Sequence, residues 1–359
     1  MNFSTEERAE ISKGLLRWFA THQRPLPWRK HYAPYEVWIS EIMLQQTQVA
    51  TMLPYFNRWM KALPSIKAVA QAREEDLIKL WEGLGYYSRV KNIHKAARIL
   101  VEKNEGRFFE KYEDIVKLPG IGPYTAAAIC SIAFEQDFPV VDGNVVRVLS
   151  RLGDFREDVR YFKKAFWEEA GRFLPKGQAR AFNQALMEFG ALQCTPKSPA
   201  CSKCPLQSLC KAAASGTQEF LPNKGPSSSK IPIQVVIAVI TKNGKVFVQK
   251  RRDTGLMAGL WEFPGGQVEN GETLEEALHR EIEEELAIRV KNLRFFMNIK
   301  HAYTKYTVDL HCFLADFDSG TVNLNAASES RWLKPEQLSQ LAFPAANVKL
   351  IHKLLSFRK

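Results

Sequence analysis

The spacing of apolar positions changes once along this chain. From about Thr5 to Ala214 apolar residues recur every three or four positions, as in Val90–Val101 and Ala181–Leu192. That is the period of helices that bury one face. Proline and glycine punctuate these runs, and nothing there alternates as a strand would. The stretch Leu221-Pro222-Asn223-Lys224-Gly225-Pro226-Ser227-Ser228-Ser229-Lys230 then has linker composition. Beyond it, Ile233–Ile240 and Lys245–Gln249 are β-branched runs joined at Lys242-Asn243-Gly244, a hairpin signal. A helix fits Leu274–Leu286, strands fit near Leu293–Ile299 and Tyr306–Ala315, and a last helix fits Ala345–Leu355. The pattern predicts a multidomain chain: an all-α domain over residues 1–220, a linker over 221–230, and an α/β domain over 231–359.

Length and composition agree with this division. The 359 residues allow two or three domains, and 45% hydrophobic residues suffice for their cores. Net charge is +11, of which residues 1–225 carry +8. The helical part is therefore the one suited to a polyanion, with charge alone not separating DNA from RNA. No run of about 18 apolar residues marks a membrane span. Met1-Asn2-Phe3-Ser4-Thr5-Glu6-Glu7 lacks the basic and apolar regions of a signal peptide. The expected setting is the cytosol or nucleoid, with no membrane partner.

Two segments carry candidate chemistry. Leu118-Pro119-Gly120-Ile121-Gly122-Pro123-Tyr124-Thr125 reads as a helix stop, a glycine turn and a new helix start. Such a turn aims backbone N–H groups outward at the positive end of a helix, so Gly120, Gly122 and Thr125 are candidates to hold a DNA phosphate. Val141-Asp142-Gly143-Asn144 follows and sets a carboxylate just ahead of another helix. The plainer alternative is a helix connection with an aspartate cap. The second segment holds Cys194, Cys201, Cys204 and Cys210, spaced C-x6-C-x2-C-x5-C. Four thiolates this close suit one metal centre, zinc or an iron–sulfur cluster. Lys197, Lys203 and Lys211 among them would suit a phosphate clamp.

Together these pieces resemble the helix-hairpin-helix DNA glycosylases over about residues 5–220. Three motifs are similar to those of the adenine DNA glycosylases of the MutY kind. They are Trp38-Ile39-Ser40-Glu41-Ile42-Met43-Leu44-Gln45-Gln46-Thr47-Gln48, Gly83-Leu84-Gly85-Tyr86-Tyr87-Ser88-Arg89 and Phe182-Asn183-Gln184-Ala185-Leu186-Met187-Glu188. The resemblance implies a [4Fe–4S] cluster on the four cysteines. It implies a monomer that acts on double-stranded DNA and removes adenine mispaired with 8-oxoguanine or guanine. The endonuclease III-like branch shares the hairpin, the Asp and the cluster, but has a lysine nucleophile where this chain has Tyr124. Without it a Schiff-base lyase step lacks its nucleophile, so a monofunctional glycosylase is expected.

By the same resemblance Glu41 is the general acid that protonates adenine, at N7, and its apolar neighbours Ile39, Ile42 and Leu44 would raise its pKa. Asp142 would stabilise the oxocarbenium-like sugar, with Tyr124 and Asn144 in support. The base must leave the duplex first. Tyr86 would wedge beside the oxidised guanine, Gln46 and Thr47 would lie near it, and Trp28, Arg29, Leu44 and Glu188 would line the adenine pocket. A silent DNA-binding protein is the rival of another class. It would have no use for an acid and a second carboxylate.

Residues 231–359 resemble the Nudix fold. Gly266, Glu272 and Arg280-Glu281-Ile282-Glu283-Glu284-Glu285-Leu286-Ala287-Ile288 nearly complete its motif, with Ala287 in place of a glycine. Glu281, Glu284 and Glu285 fall on one helix face that could hold Mg²⁺ against a pyrophosphate, or simply be solvated. Glu262-Phe263-Pro264-Gly265-Gly266 and Phe343-Pro344-Ala345-Ala346-Asn347 look like the MutT nucleotide hydrolases. That likeness implies that Asn347 bonds an oxidised guanine, with Phe263 and Arg252 near the nucleotide. Where relatives carry a Phe-Ser-His loop this chain has Tyr303-Thr304-Lys305, which keeps a hydroxyl at Thr304 and loses the histidine. Two roles stay open for this domain. It is a DNA-reading module, or a Mg²⁺-dependent hydrolase of 8-oxo-dGTP.

Overall fold

The computed structural model describes residues 1, 3–226, 229–302 and 305–357. The chain forms two compact units, Met1–Ala70 with Lys95–Ser227, and Gln71–His94 with Ser228–Lys359.

Before the linker the described elements are helical. They are α1 (Thr5–His22), α2 (Pro34–Leu44), α3 (Val49–Ala62), α4 (Ile66–Gln71), α5 (Glu74–Trp81), α6 (Ser88–Asn104), α7 (Tyr112–Ile115), α8 (Pro123–Phe134), α9 (Gly143–Leu152), α10 (Lys163–Phe173), α11 (Ala179–Leu192) and α12 (Lys211–Ser215), with short 3-10 turns between. A capping box starts α1: the Ser4 hydroxyl accepts from the Glu7 N–H, and the Glu7 carboxylate accepts from the Ser4 N–H. Its apolar stripe, Ile11, Leu15, Trp18 and Phe19, packs with Val145, Val148 and Leu149 of α9, Phe166 and Phe173 of α10, and Phe182 and Phe189 of α11. At Gly190 of α11 a Cβ would stand 2.6 Å from the Asn144 Cβ. Only glycine lets α11 lie this close to the first turn of α9.

Among the described residues the second unit holds six strands: β1 (Ile231–Lys242), β2 (Lys245–Arg251), β3 (Trp261–Glu262), β4 (Ile288–Ala302), β5 (Tyr306–Gly320) and β6 (Ala327–Leu333). They form one mixed sheet in the order β3-β2-β1-β5-β4, with β6 also on β2; β1 and β5 are parallel and the other pairs antiparallel. Asn243 and Gly244 take φ of 50° and 73° and close the expected β1–β2 hairpin. Alternation along β1 sends Val236, Ala238 and Ile240 toward α13 (Leu274–Leu286), and Ile237 and Val239 toward α14 (Ala345–Phe357). A sheet buried on both faces explains why β1 reads as a continuous apolar run. Among the described residues no helix is long and apolar enough to cross a membrane.

Candidate active site

In the first unit, α2 and α8 bring Glu41 and Tyr124 together. The Tyr124 hydroxyl donates to Glu41 Oε2 at 3.1 Å and lies 3.6 Å from Met187 Sδ. Glu41 is 6% exposed. Burial pushes its pKa up to about 7, the Tyr124 hydrogen bond opposes this, and the nearby Asp142 charge adds to it. Burial also raises Tyr124 well above its usual value, so it remains a donor. The second carboxylate is fixed rather than free. Asp142 caps α9, with Oδ1 accepting from the N–H groups of Asn144 and Val145, both at 2.8 Å, and Oδ2 from Asn144 Nδ2 at 2.7 Å. Burial raises its pKa and these three donors pull it back. The capping role and the placement beside Glu41 are the same feature, not alternatives.

A buried ion cluster stands beside this pair. Glu188, 2% exposed, accepts from the Arg24 N–H at 2.9 Å, from Arg24 Nε and Nη2 at 2.8 and 2.7 Å, and from Arg29 Nη1 and Nη2 at 3.1 Å each. Burial alone would raise Glu188, but these donors outweigh it and hold the carboxyl at about 2. Its oxygens are filled by two guanidinium groups. Arg29 also donates to Gln184 Oε1 at 2.9 Å, and its charge draws the Glu41 pKa downward. Trp28 is buried edge-on against Phe56. Leu44 and Thr47 are half-buried at the end of α2, joined by the Thr47 N–H donating to the Leu44 carbonyl. Gln46 is exposed there with a left-handed φ of 58°. Arg24 has no role in the sequence reading, since it lies 164 residues from Glu188, and Gln184 has none either, although it stands one helical turn before Glu188 within a quoted motif.

The hairpin turn takes the expected form. Gly120 has φ of 77°, and Gly122 precedes Pro123 at the start of α8 with no side chain capping that helix. A Cβ on Gly122 would meet open space, which leaves room for a ligand at these N–H groups. Thr125 is 2% exposed, and its hydroxyl pairs with Gln45 Nε2 at 3.4 Å.

Cys194, Cys201, Cys204 and Cys210 are free thiols that line one cavity together with Arg151 and Phe189. Among the described residues no set of three or more His, Cys, Asp or Glu side chains is gathered to hold a single ion. A zinc site needs sulfurs at about 2.3 Å from one centre. All four cysteines face one cavity, as ligands of a single cluster must. Arg151 donates to Cys194 Sγ at 3.3 Å and to the carbonyls of Thr195 and Pro196 at 2.7 and 3.1 Å. Arg147 joins the loop to the first turn of α9, donating to the Cys194 carbonyl and to Asn144 Oδ1, both at 2.8 Å.

In the second unit, Tyr86 is 46% exposed with φ of 51°. Of the Nudix carboxylates, Glu285 accepts from Gln249 Nε2 at 2.9 Å and the Gly265 N–H at 3.1 Å, and burial lifts it to about 7. Glu281 and Glu284 instead pair with Arg280 at 3.1 and 3.2 Å. A Cβ on Gly266 would run into the Glu281 carboxylate. Glu262, which burial also raises, lies beside Glu285 and was not singled out as a site from sequence. Asn347 is 7% exposed and accepts from the Phe263 N–H at 3.4 Å. Thr304 lies outside the described residues.

Comparison with known proteins finds three family models along this chain. The model for HhH-GPD superfamily base excision DNA repair proteins matches residues 39–171, that for the iron-sulfur binding domain of endonuclease III matches 194–210, and that for the NUDIX domain matches 235–353. The chain carries an iron–sulfur loop accordingly. The solved structure of a thermostable thymine-DNA glycosylase superposes on 58% of this chain and 98% of its own, at a TM-score of 0.54 and 29% identity. An adenine DNA glycosylase of Arabidopsis thaliana is 38% identical over 308 residues, 73% of this chain and 48% of the relative, so the chain spans about half its length. One of Rattus norvegicus is 33% identical over 394 residues, which cover 94% of this chain and 76% of the relative. With likeness sustained along nearly the whole sequence, this chain belongs to the adenine DNA glycosylase family of DNA-repair enzymes.

Proposed function

We propose that this enzyme excises adenine mispaired with 8-oxoguanine or guanine in double-stranded DNA and leaves the strand uncut. The observation that carries the reading is the pair formed by Glu41 and Asp142. Glu41 holds a proton near neutral pH, while Asp142 is tied down by three donors. Glu41 gives its proton to the adenine ring. The electron pair of the N-glycosidic bond departs with the base, and the cationic sugar left behind faces Asp142. Water then adds at C1′ and yields an abasic site. Tyr124 hydrogen-bonds to Glu41 and Asn144 orients Asp142. Gly120, Gly122 and the Thr125 N–H would grip a phosphate, with Gln46, Thr47 and Tyr86 at the estranged guanine, and Trp28, Arg29, Leu44 and Glu188 around the adenine. The four cysteines would hold a [4Fe–4S] cluster that keeps the loop, and through Arg147 the start of α9, in place. Residues 1–220 make the glycosylase domain of a monomer that works on chromosomal DNA in the cytoplasm.

Excision is tested on A:8-oxoguanine and A:G duplexes, with abasic product revealed by alkali. Intact DNA after incubation with cluster-loaded enzyme contradicts the reading. Borohydride trapping separates the endonuclease III-like alternative. No covalent complex is expected, because Tyr124 replaces the lysine.

A second reading concerns residues 231–359. The Gln249 Oε1, in a side chain 1% exposed, has no partner, and it belongs to a residue bonded to Glu285. An orphaned acceptor beside the half-buried carboxylates of Glu285 and Glu262 offers oxygen donors of the kind Mg²⁺ takes. Such an ion would supply charge against a pyrophosphate. This favours hydrolysis of 8-oxo-dGTP in addition to recognition of 8-oxoguanine by Asn347. Incubating the full chain with 8-oxo-dGTP and Mg²⁺ decides it, and the absence of pyrophosphate and monophosphate leaves recognition alone.

A further inference from the structure

Three side chains of the Gln71–His94 segment converge on the loop just ahead of α14, all within the second unit. Glu82 Oε1 accepts from the Phe343 N–H at 2.8 Å. Lys79 Nζ donates to the Leu341 carbonyl at 2.8 Å and pairs with Glu82 Oε2 at 2.5 Å. The Tyr87 hydroxyl donates to the Phe343 carbonyl at 3.4 Å and accepts from the Gly83 N–H at 3.3 Å. Lys250 Nζ and Glu75 add an ion pair at 2.9 Å between the same segment and β2.

This clamp holds two things at once. On the loop side, Phe343 stacks on Phe263 with centroids 5.7 Å apart, and the Phe263 N–H donates to Asn347. On the other side, the turn Gly83-Leu84-Gly85-Tyr86 is pinned from within. Arg89, 8% exposed, donates to the carbonyls of Leu84 and Gly85 at 3.0 Å each, and Trp81 Nε1 donates to the Gly85 carbonyl at 3.1 Å. The Arg89 guanidinium also sits 5.4 Å from the centre of the Tyr86 ring. Tyr86 is therefore presented, half exposed, from a turn with little freedom, and its chain neighbour Tyr87 is bonded to the base-reading loop.

We propose that Lys79, Glu82 and Tyr87 are positioning residues for lesion recognition. They fix the spacing between the Tyr86 ring and the face formed by Phe263, Phe343 and Asn347, so that both meet one oxidised purine in a set register. The proposal rests on the reading that the enzyme acts opposite 8-oxoguanine. An oxidised guanine that satisfied both elements would gain affinity that guanine does not, and loosening the clamp would cost that difference while sparing the chemistry at Glu41.

The test compares A:8-oxoguanine with A:G duplexes for the full-length, cluster-loaded enzyme. Binding and single-turnover excision at saturating enzyme are measured for wild type, Glu82→Ala, Glu82→Gln and Tyr87→Phe. The expected result is a loss of about tenfold in the binding preference for A:8-oxoguanine in Glu82→Ala, with the saturating rate unchanged. Glu82→Gln keeps an acceptor for the Phe343 N–H and retains most of the preference. Tyr87→Phe removes one hydroxyl and loses a smaller part, and it reads the clamp even if Glu82→Ala folds poorly. A wild-type preference undiminished in both Glu82→Ala and Tyr87→Phe overturns the clamp alone. A wild type that binds the two duplexes equally overturns the underlying reading with it.

Discussion

Glu41 in the first unit and Glu285 in the second are both lifted to about 7 by burial, yet their surroundings part company. Glu41 has one neutral hydroxyl as its partner, and the carboxylate nearby, Asp142, is held by three N–H donors of its own. Proton and charge are thus assigned to different residues. Glu285 sits with Glu262, also raised by burial, while Glu281 and Glu284 both pair with Arg280. The donors there are spread over both members, Glu262 accepting from Arg251 and Glu285 from Gln249 and the Gly265 N–H, so neither is left as the plain proton carrier. The difference teaches that burial alone makes a raised pKa, but the donors given to each carboxylate decide whether a pair can divide acid and anion duties.

The sharpest break in this comparison is Asp142→Asn. It should lower single-turnover excision of adenine by about 10²–10³-fold, because the charge facing the cationic sugar is lost. The matching change in the other unit, Glu285→Gln, should leave that rate within about twofold. A comparable loss from both would mean that the two sites are not independent.

Next in size is the cysteine loop. Arg147 spans the Cys194 carbonyl and Asn144, so a loop without its cluster should release Asn144 and with it Asp142. Cys204→Ser is expected to lose visible absorbance and most excision together.

A smaller effect concerns stability. Because burial raises Glu41 in the folded state, the native protein holds its proton more tightly than the unfolded chain. Stability from this group is complete below about pH 4.5 and is lost as pH rises toward about 7. Glu41→Gln removes that loss. The variant should be more stable than wild type above pH 7, by on the order of 2–3 kcal/mol in urea denaturation. A variant of lower stability at pH 8 would show that Glu41 is ionised and well solvated.

Much of this arrangement is legible in the sequence where spacing along the chain equals spacing in space. The glycine turn, the Asp142 cap and the cysteine loop are local, and each takes its expected form. The strands β4 and β5 run well past the segments expected at Leu293–Ile299 and Tyr306–Ala315, because shifts of register between Arg289 and Val290, Lys291 and Arg294, and Phe295 and Met297 spoil the alternation a reader would follow. β3 is two residues long, and β6 buries only Ala327 fully, so neither leaves a readable pattern. Arg24 grips Glu188 from 164 residues away, and Glu82 grips Phe343 from 261. Such pairings exist only after folding. That is also why the grouping of Gln71–His94 with the later strands cannot be read from linear order.

The most direct measurement is the single-turnover excision rate on an A:8-oxoguanine duplex as a function of pH, for wild type and Glu41→Gln. With Glu41 as the acid at a pKa of about 7, the wild-type rate should be level below that pH and fall about tenfold per unit well above it. Glu41→Gln should be slower by about 10²–10⁴-fold and without that fall. Equal rates for the two proteins, or the same pH profile in both, would contradict the account.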